Sequence, residues 1–380
     1  MILRKHDVGN GIKKSSAVTI TAPSKHAPAV KDSTKHTVSY EYHKSHTVLV
    51  EYAADSTKDM FQIGRSSEEQ IDFTIVDTWL AAGSNMVLSP DRDEPIKVYL
   101  YAAGFDSSKN IFLGEKATKW VKKNGESDGL TTNGVLILHP NRGDDEEMSD
   151  KVQPEMYIWR EVSVDGDIYS LRETRSSTKR GQLVPEETNQ LQDGTLIDLC
   201  GATLLWRSAD GLKKSPSRVE LERRLDELNA GRPQCPVNLN TLIVPRRKSA
   251  RTSNSSRQPY VYMRCGHVQG KHDWGIIRHP TNGDSPPTAF KCPICLTESE
   301  RVIQLCMGME SAFHLDSSAL DFCFNPCGHV ASLATVRYWS RIPLPHGTNS
   351  FHPVCPFCTS LLSIEKPYVR LIFQDHLFDT

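Results

Sequence analysis

Residues 265–268 read Cys-Gly-His-Val and residues 292–295 read Cys-Pro-Ile-Cys, and nearly the same two motifs return at residues 327–330 and 355–358. A closely spaced pair of cysteine or histidine side chains lets one turn of backbone supply two of the four ligands of a tetrahedral zinc ion. Four such pairs in a repeated order therefore predict two zinc ions. The predicted ligands are Cys265, His267, Cys292, Cys295, Cys327, His329, Cys355 and Cys358.

The composition is that of an ordinary globular protein with two or three domains. Of the 380 residues, 38% are hydrophobic and 24% are charged, and the formal net charge is -1. This balance does not favour nucleic acid or an anionic membrane as a partner. No apolar run approaches the roughly 20 residues that span a bilayer. We therefore predict no nucleic-acid partner and no membrane insertion.

The cysteine content bears on the cellular compartment. Ten cysteines in a chain that begins without an apolar secretion signal predict a reducing, cytoplasmic location, and metal binding rather than disulfides. The cysteines outside the ligand set are Cys200, Cys235, Cys306 and Cys323. We expect Cys200 to pack in the core. Cys306 and Cys323, which lie between the predicted ligands, are expected to be spare thiols or, as an alternative, substitute ligands. The histidines His272, His346 and His352 are expected to be surface or loop residues, since eight ligands suffice.

Upstream of residue 245, many short runs of β-branched and aromatic residues are separated by Gly, Asn, Asp and Ser. This spacing predicts an all-β sandwich. One amphipathic helix is predicted from Ser217 to Leu228, stopped by Gly231 and Pro233. We predict a polar, mobile segment at 1–35 with one short strand at residues 17–21, the sandwich at 36–245, a basic, Ser-rich linker at 246–259 and the zinc domain at 260–380.

Longer motifs point to a known family. They are residues 59–66, 102–116, 129–135 and 187–194 upstream, and the zinc motifs with residues 338–348 and 370–374 downstream. Over residues 36–380 the chain resembles the Pellino family. The resemblance implies a mainly β fold, in which a forkhead-associated (FHA) β-sandwich with an inserted wing precedes a small, zinc-stabilised, RING-like α+β domain.

The resemblance also implies an activity. Pellino proteins are ubiquitin ligases of Toll and interleukin-1 receptor signalling, and their expected partners are a ubiquitin-conjugating enzyme, ubiquitin and receptor-associated kinases. Such a ligase acts by positioning and needs no nucleophile of its own. Trp339 and Pro356 match RING positions that could contact the conjugating enzyme, with a core aromatic as the alternative for Trp339. The alternative function is a non-catalytic adaptor or decoy, while zinc-dependent nucleic-acid binding is disfavoured.

The pairing of the zinc ligands remains open in the sequence. By analogy with RING domains we prefer a cross-brace, in which the pairs at 265–267 and 327–329 share one ion and the two Cys-x-x-Cys pairs share the other. In the rival arrangement each half of the repeat holds its own ion. The gap of 31 residues between Cys295 and Cys327 is far longer than the gap between the middle pairs of an ordinary RING domain.

The resemblance places a phosphothreonine site on the sandwich. Arg65 and Ser66 match the phosphate-binding residues, and Asn133 matches the asparagine that holds the phosphopeptide backbone. A Ser-Arg-Phe segment of the family is missing, and residues 79–95 in its place are expected to be irregular, leaving the sandwich short of one or two strands. We therefore expect phosphothreonine affinity to be weak or lost, so that Arg65→Ala changes it little. A loss of tenfold or more (about 1.4 kcal/mol) would show that the site survives.

Overall fold

A computed structural model describes residues 8–20, 32, 34–41, 47–64, 71–75, 86–91, 96–103, 110–114, 116–140, 157–231, 233–246, 257–277, 289–346 and 350–374. The chain divides into two compact units, Met1–Ser208 with Pro345–Ser350, and Ala209–Leu344 with Phe351–Thr380. Each unit has its own hydrophobic core.

The first unit is built from strands. They are β1 (Gly11–Ile20), β2 (Lys35–Glu41), β3 (Thr47–Asp55), β4 (Phe61–Gly64), β5 (Phe73–Thr74), β6 (Met86–Asp91), β7 (Lys97–Tyr101), β8 (Asn110–Leu113), β9 (Thr118–Val121), β10 (Ser127–Leu130), β11 (Val135–Leu138), β12 (Arg160–Val162), β13 (Ile168–Ser170), β14 (Leu196–Asp198) and β15 (Thr203–Leu205). The sheets run in the orders β1-β3-β2-β8, β5-β4-β6-β7, β13-β12-β11-β14-β15 and β10-β9.

Two of these sheets form a sandwich. Leu88 and Leu100 of the sheet β5-β4-β6-β7 lie in one buried cluster with Ile137 and Ile197 of the sheet β13-β12-β11-β14-β15. Alternate residues of a strand point to opposite faces, so the apolar residues of both sheets meet between them. The predicted β-sandwich is confirmed.

A further sheet, β1-β3-β2-β8, packs on a second cluster that includes Val38, Tyr40 and Val50. Its strands come from the chain before β4 and from the chain between β7 and β9, as expected of an inserted wing. Strand β1 pairs with β3 along its whole length. The prediction of a mobile segment at 1–35 is therefore wrong for residues 11–16, and the predicted short strand at 17–21 is confirmed over 17–20.

The segment expected to be irregular contains a core strand. Strand β6 lies between β4 and β7 in its sheet, and its residues Met86, Val87 and Leu88 are buried. The prediction that residues 79–95 lack regular structure is wrong over 86–91. The apolar run is only three residues long and is followed by Ser, Pro and Asp, so it carries a weak strand signal, and pairing on both sides stabilises it.

From residue 209 onward the elements are α1 (Ala209–Lys214), α2 (Arg218–Ala230), β16 (Tyr260–Tyr262), β17 (Val268–Gln269), β18 (Ile276–Ile277), β19 (Ala289–Lys291), β20 (Glu298–Ser299), β21 (Val302–Gln304), β22 (Cys306–Met307), a 3₁₀ turn (Ser311–Phe313), β23 (Phe322–Phe324), β24 (His329–Ala331), α3 (Leu333–Arg341), β25 (Leu344–His346), β26 (Ser350–His352) and β27 (Tyr368–Arg370). The sheets of the second unit are β17-β16-β21, β18-β19-β20 and β22-β24-β23-β27.

Helix α2 confirms the predicted helix but belongs to the second unit. Ser217 and Glu220 form a capping box at its start, which satisfies backbone N–H groups that lack helical partners. Leu221 and Leu225 are buried in the core of the zinc region, with Val261 among their neighbours. The predicted domain boundary at residue 245 is therefore wrong, because residues 209–246 lie in the second unit.

The prediction of a linker at 246–259 is wrong for the last residues of that segment. Residues 247–256 lie outside the described part of the chain. Gln258 is buried, and its side-chain amide donates a hydrogen bond to the Leu305 carbonyl over 2.9 Å. The end of the predicted linker, residues 257–259, is thus packed into the second unit.

Candidate metal centres

The eight predicted ligands come together in two groups of four. In each group one Sγ or ring-nitrogen atom per residue lies within 4.8 Å of the others. The groups are Cys265, His267, Cys292 and Cys295, and Cys327, His329, Cys355 and Cys358. Each half of the repeat supplies a whole group, so the preferred cross-brace pairing is wrong and the rival pairing is observed.

The Cys-Gly-His turns present two ligands each because a glycine lies between them. Gly266 and Gly328 have φ of 82° and 72°, a region that residues with a Cβ rarely adopt. Each donates a backbone hydrogen bond of 2.8 Å, to the carbonyls of Tyr262 and Phe324 respectively. A Cβ on Gly266 would overlap the carbonyl oxygen of Arg370.

The Cys-Pro-x-Cys turns also share one geometry. After the second cysteine, Leu296 and Thr359 take φ of 61° and 58°. Their backbone N–H groups donate to the carbonyls of Cys292 and Cys355 over 2.9 and 2.8 Å. The chain therefore folds back at each turn and presents both thiols to one point.

Sequence reasoning missed a third turn of this kind. Residues 235–240 read Cys-Pro-Val-Asn-Leu-Asn, and Leu239 has φ of 56° and donates to the Cys235 carbonyl over 2.9 Å. Asn238 stands where the other turns have the second cysteine. Its backbone N–H donates to the Cys235 Sγ over 3.4 Å, so a hydrogen bond closes this turn. The Cys-Pro dipeptide was the available signal.

The two halves exchange strands although they share no ligand. Strand β21 pairs with β16 of the first half, and β22, which follows it, pairs with β24 of the second half. Conversely, β27 pairs with β23 of the second half, and Ile372 just beyond it bridges to His267 of the first. The two centres are therefore built into one interlocked scaffold.

The distances within each group fit a tetrahedral ion with sulfur and nitrogen ligands. The Nδ1 atom of His267 lies 3.6 Å from the Sγ of Cys292, and the Nδ1 of His329 lies 3.4 and 3.7 Å from the Sγ atoms of Cys327 and Cys355. Zinc–ligand bonds of about 2.3 Å to sulfur and 2.0–2.1 Å to nitrogen separate such atoms by about 3.6 Å. Three thiols and one imidazole are also soft ligands that suit zinc.

Two thiols of the first centre, Cys265 and Cys295, have pKa values shifted in opposite directions. Burial raises the pKa of the Cys265 thiol to about 12. Burial acts in the same direction at Cys295, but hydrogen bonds with Thr297 and with neighbouring thiols bring the pKa of that thiol down to about 6. A bound cation must displace these protons, so metal affinity is expected to fall as the pH falls.

The surroundings of the two centres differ. In the first turn Ile294 and Leu296 are 42% and 56% exposed. In the second, the Phe357 ring packs against the rings of His314 and His329, with centroids 5.1 and 5.7 Å apart. The second centre is therefore covered by aromatic rings, whereas the first lies near solvent.

The two residues expected to contact a conjugating enzyme lie in different environments. Trp339 is only 3% exposed, and its indole N–H donates to the Phe313 carbonyl over 2.9 Å. This arrangement favours the alternative of a core aromatic. Pro356 is half-buried, and its contact with a conjugating enzyme stays a prediction.

The proposed phosphothreonine residues are described only in part. Arg65 and Ser66 lie outside the described residues. Asn133 is half-buried in the turn between β10 and β11, where its carbonyl accepts a hydrogen bond from Arg175 over 3.2 Å.

The remaining cysteines are outside both ligand groups, and none of the cysteines that the structure describes is in a disulfide. Cys306 and Cys323 are buried on the strands flanking β24. Cys200 is half-buried in a turn with φ of 58°, so its predicted place in the core is wrong. His272, His346 and His352 belong to neither group. Within the described part of the chain, no helix combines the length and apolar character needed to cross a membrane.

Comparison with known proteins agrees with this architecture. The family model described as Pellino, FHA domain matches residues 1–224, and the one described as Pellino, RING domain matches residues 228–379. Protein pellino of Drosophila melanogaster is 48% identical over 99% of this chain and 88% of its own length. The human E3 ubiquitin-protein ligase pellino homolog 2 is 46% identical over 98% of this chain and 89% of its own, and the mouse pellino homolog 3 is 45% identical over 99% and 85%.

Proposed function

The chain belongs to the Pellino family, and from this premise we propose that it is a RING-type ubiquitin ligase of Toll and interleukin-1 receptor signalling in the cytoplasm. It transfers ubiquitin from a conjugating enzyme to receptor-associated kinases and to itself. The observation that carries this proposal is the pair of three-cysteine, one-histidine groups inside residues 228–379, which match the Pellino RING model.

The residues of the second unit act by holding a surface rigid. Cys265, His267 and their partners in the first half, with the equivalent four in the second, would hold two zinc ions. When bound, zinc supplies tetrahedral crosslinks that fix the four ligand-bearing turns. The strands that pass between the halves hold these turns in register. A conjugating enzyme docked on such a surface is oriented with its ubiquitin thioester restrained, which is catalysis by positioning.

The first unit recognises the protein that is to be ubiquitylated. We infer that it binds a phosphothreonine segment through Arg65, Ser66 and Asn133. Two observations support retained phosphothreonine binding rather than the weak or lost binding expected from the sequence. Strand β6 completes the sheet at the place where a strand was expected to be missing, and the turn that carries Asn133 is held by hydrogen bonds.

The decisive test is self-ubiquitylation by the purified chain with ubiquitin, activating enzyme and a panel of conjugating enzymes. The variant Cys292→Ser with Cys295→Ser should lose the ladder and one zinc ion per chain by elemental analysis. Cys200→Ser, which changes a thiol outside both groups, is the matched control and should keep both. A folded, zinc-loaded chain that forms no ladder with any conjugating enzyme would point to the adaptor or decoy function.

A further inference from the structure

The turn that carries Asn133 is supported by two arginines of one segment. The turn closes with a hydrogen bond of 3.0 Å from the Gly134 N–H to the Thr131 carbonyl. Arg172 and Arg175, three residues apart, each donate to a carbonyl of this turn. Nothing in the sequence pattern of either arginine indicated this role.

Arg172 holds the base of the turn. Its guanidinium makes a bidentate ion pair with Glu161, with Nη2–Oε1 and Nε–Oε2 distances of 2.6 and 3.0 Å, and both side chains are 2% exposed. Nη2 also donates to the Thr131 carbonyl over 2.9 Å. Gly134 has φ of 69°, and a Cβ there would overlap Glu161 Oε1. A planar guanidinium can make all these bonds at once, whereas an ammonium group cannot.

Arg175 holds the peptide group of Asn133 itself. Its Nη1 donates to the Asn133 carbonyl over 3.2 Å, and its Nη2 donates to Asp198 Oδ1. Asp198 in turn accepts hydrogen bonds of 2.9 Å from the Cys200 N–H and the Thr203 hydroxyl. The side chains of Arg175 and Asp198 are 11% and 3% exposed. Arg175 therefore links the Asn133 turn to the turn between β14 and β15.

We propose that Arg175 is a positioning residue for phosphopeptide recognition. It fixes the orientation of the Asn133–Gly134 peptide group, and through it the direction of the Asn133 side chain that would hold the backbone of a bound phosphothreonine peptide. A turn ordered before binding spares the complex the entropy of ordering it. The inference rests on the phosphothreonine recognition proposed above.

The test uses the full chain and a phosphothreonine peptide selected from a degenerate library for binding to the wild-type chain. Its Kd is measured by fluorescence anisotropy for wild type, Arg175→Met, Asn133→Ala and the double variant. Arg175→Met is expected to weaken binding about tenfold (about 1.4 kcal/mol). It should have no further effect in the Asn133→Ala background, because Arg175 acts through Asn133. Arg160→Met is the matched control, since it removes an arginine of the same unit that pairs with Glu187, away from the turn.

Each other outcome overturns the inference. An unchanged Kd for Arg175→Met, or an equal loss in both backgrounds, leaves Arg175 a structural residue only and leaves phosphopeptide recognition standing. If the wild-type chain selects no phosphothreonine peptide, that recognition fails and this inference fails with it, while ligase activity is judged separately by the ubiquitin ladder.

A second measurement covers the case in which Arg175→Met does not fold. Arg175→Lys keeps the charge beside Asp198, but one ammonium is expected to lose the shared contact with the Asn133 carbonyl. In a ¹⁵N-labelled chain the Gly134 amide and the Asn133 side-chain amide resonances should shift, while those near Glu187 stay. Unshifted turn resonances together with wild-type peptide affinity would overturn the proposal.

Discussion

The two metal centres have the same ligand types, the same turns and nearly the same spacing, yet one is covered by a helix and aromatic rings and the other lies near solvent. After the second Cys-Gly-His turn, Ser332 caps helix α3, which buries Val336 and Trp339 beside the centre. After the first, residues 270–275 begin and end with glycine and form no helix. The ligand motif therefore specifies which groups can bind the metal, and the sequence between motifs decides how well the centre is covered.

The largest expected difference between the halves follows loss of a ligand. Cys355→Ser should unfold the second unit, because a loaded zinc site of this kind contributes on the order of 10 kcal/mol and the Cys355 side chain is fully buried. Cys295→Ser, at an exposed ligand, should lose the first ion and leave the second bound. Zinc content and circular dichroism of the two variants measure this, and equal unfolding would contradict the asymmetry.

A tryptophan substitution sharpens the same contrast. Trp339→Ala should destabilise the loaded chain by about 3–5 kcal/mol, because it removes a large buried ring. Trp274→Ala, in the first half, changes a side chain that is 46% exposed and should cost about 0.5 kcal/mol or less. Urea unfolding of both variants gives the two values. Similar destabilisation by both would mean that the halves are equally packed.

The rate at which a chelator removes zinc from the second centre should depend on the Phe357 ring, which packs beside it. We expect zinc to leave the wild-type chain in two phases, with the first centre emptied first. Phe357→Ile places there the residue found at the equivalent position of the first turn, Ile294, and should bring the two rates together. The change removes part of the roughly 1.5–3 kcal/mol that burial of a large apolar side chain provides. Stopped-flow measurement of zinc release into a chromogenic chelator follows both phases. If the two rates are the same in Phe357→Ile as in wild type, the Phe357 ring does not protect the second centre.

The smallest effect concerns acid sensitivity of the second half. Burial lowers the pKa of His314, and its Nε2 donates to the Gly308 carbonyl over 2.7 Å. Below the usual histidine pKa of about 6.5 the unfolded chain binds a proton that the buried ring does not. Stability is therefore lost as the pH falls through that value and is fully present above it. His314→Gln should show a shallower loss of unfolding free energy between pH 7.5 and 5.5, at fixed zinc, than wild type.

Much of the site could be predicted because its signals are local. The ligands lie in short turns that must carry cysteine or histidine to bind the metal. The start of helix α2 is indicated by Ser217 and Glu220, which form a capping box. Strand β6 and the turn at Cys235 were harder to predict. The first depends on pairing with strands on both sides, and the second replaces a ligand with Asn238, so neither follows a recognised pattern.

The sequence by itself determined which side chains can bind metal, where helix α2 begins and that the upstream half is a β-sandwich, since each depends on residues close together in the chain. Only the tertiary structure decided that each half of the repeat holds its own group of ligands, that α2 packs with the zinc region and that Arg175 supports the Asn133 turn. These features depend on which distant segments pair and pack together. The spacing of residues along the chain does not encode that choice.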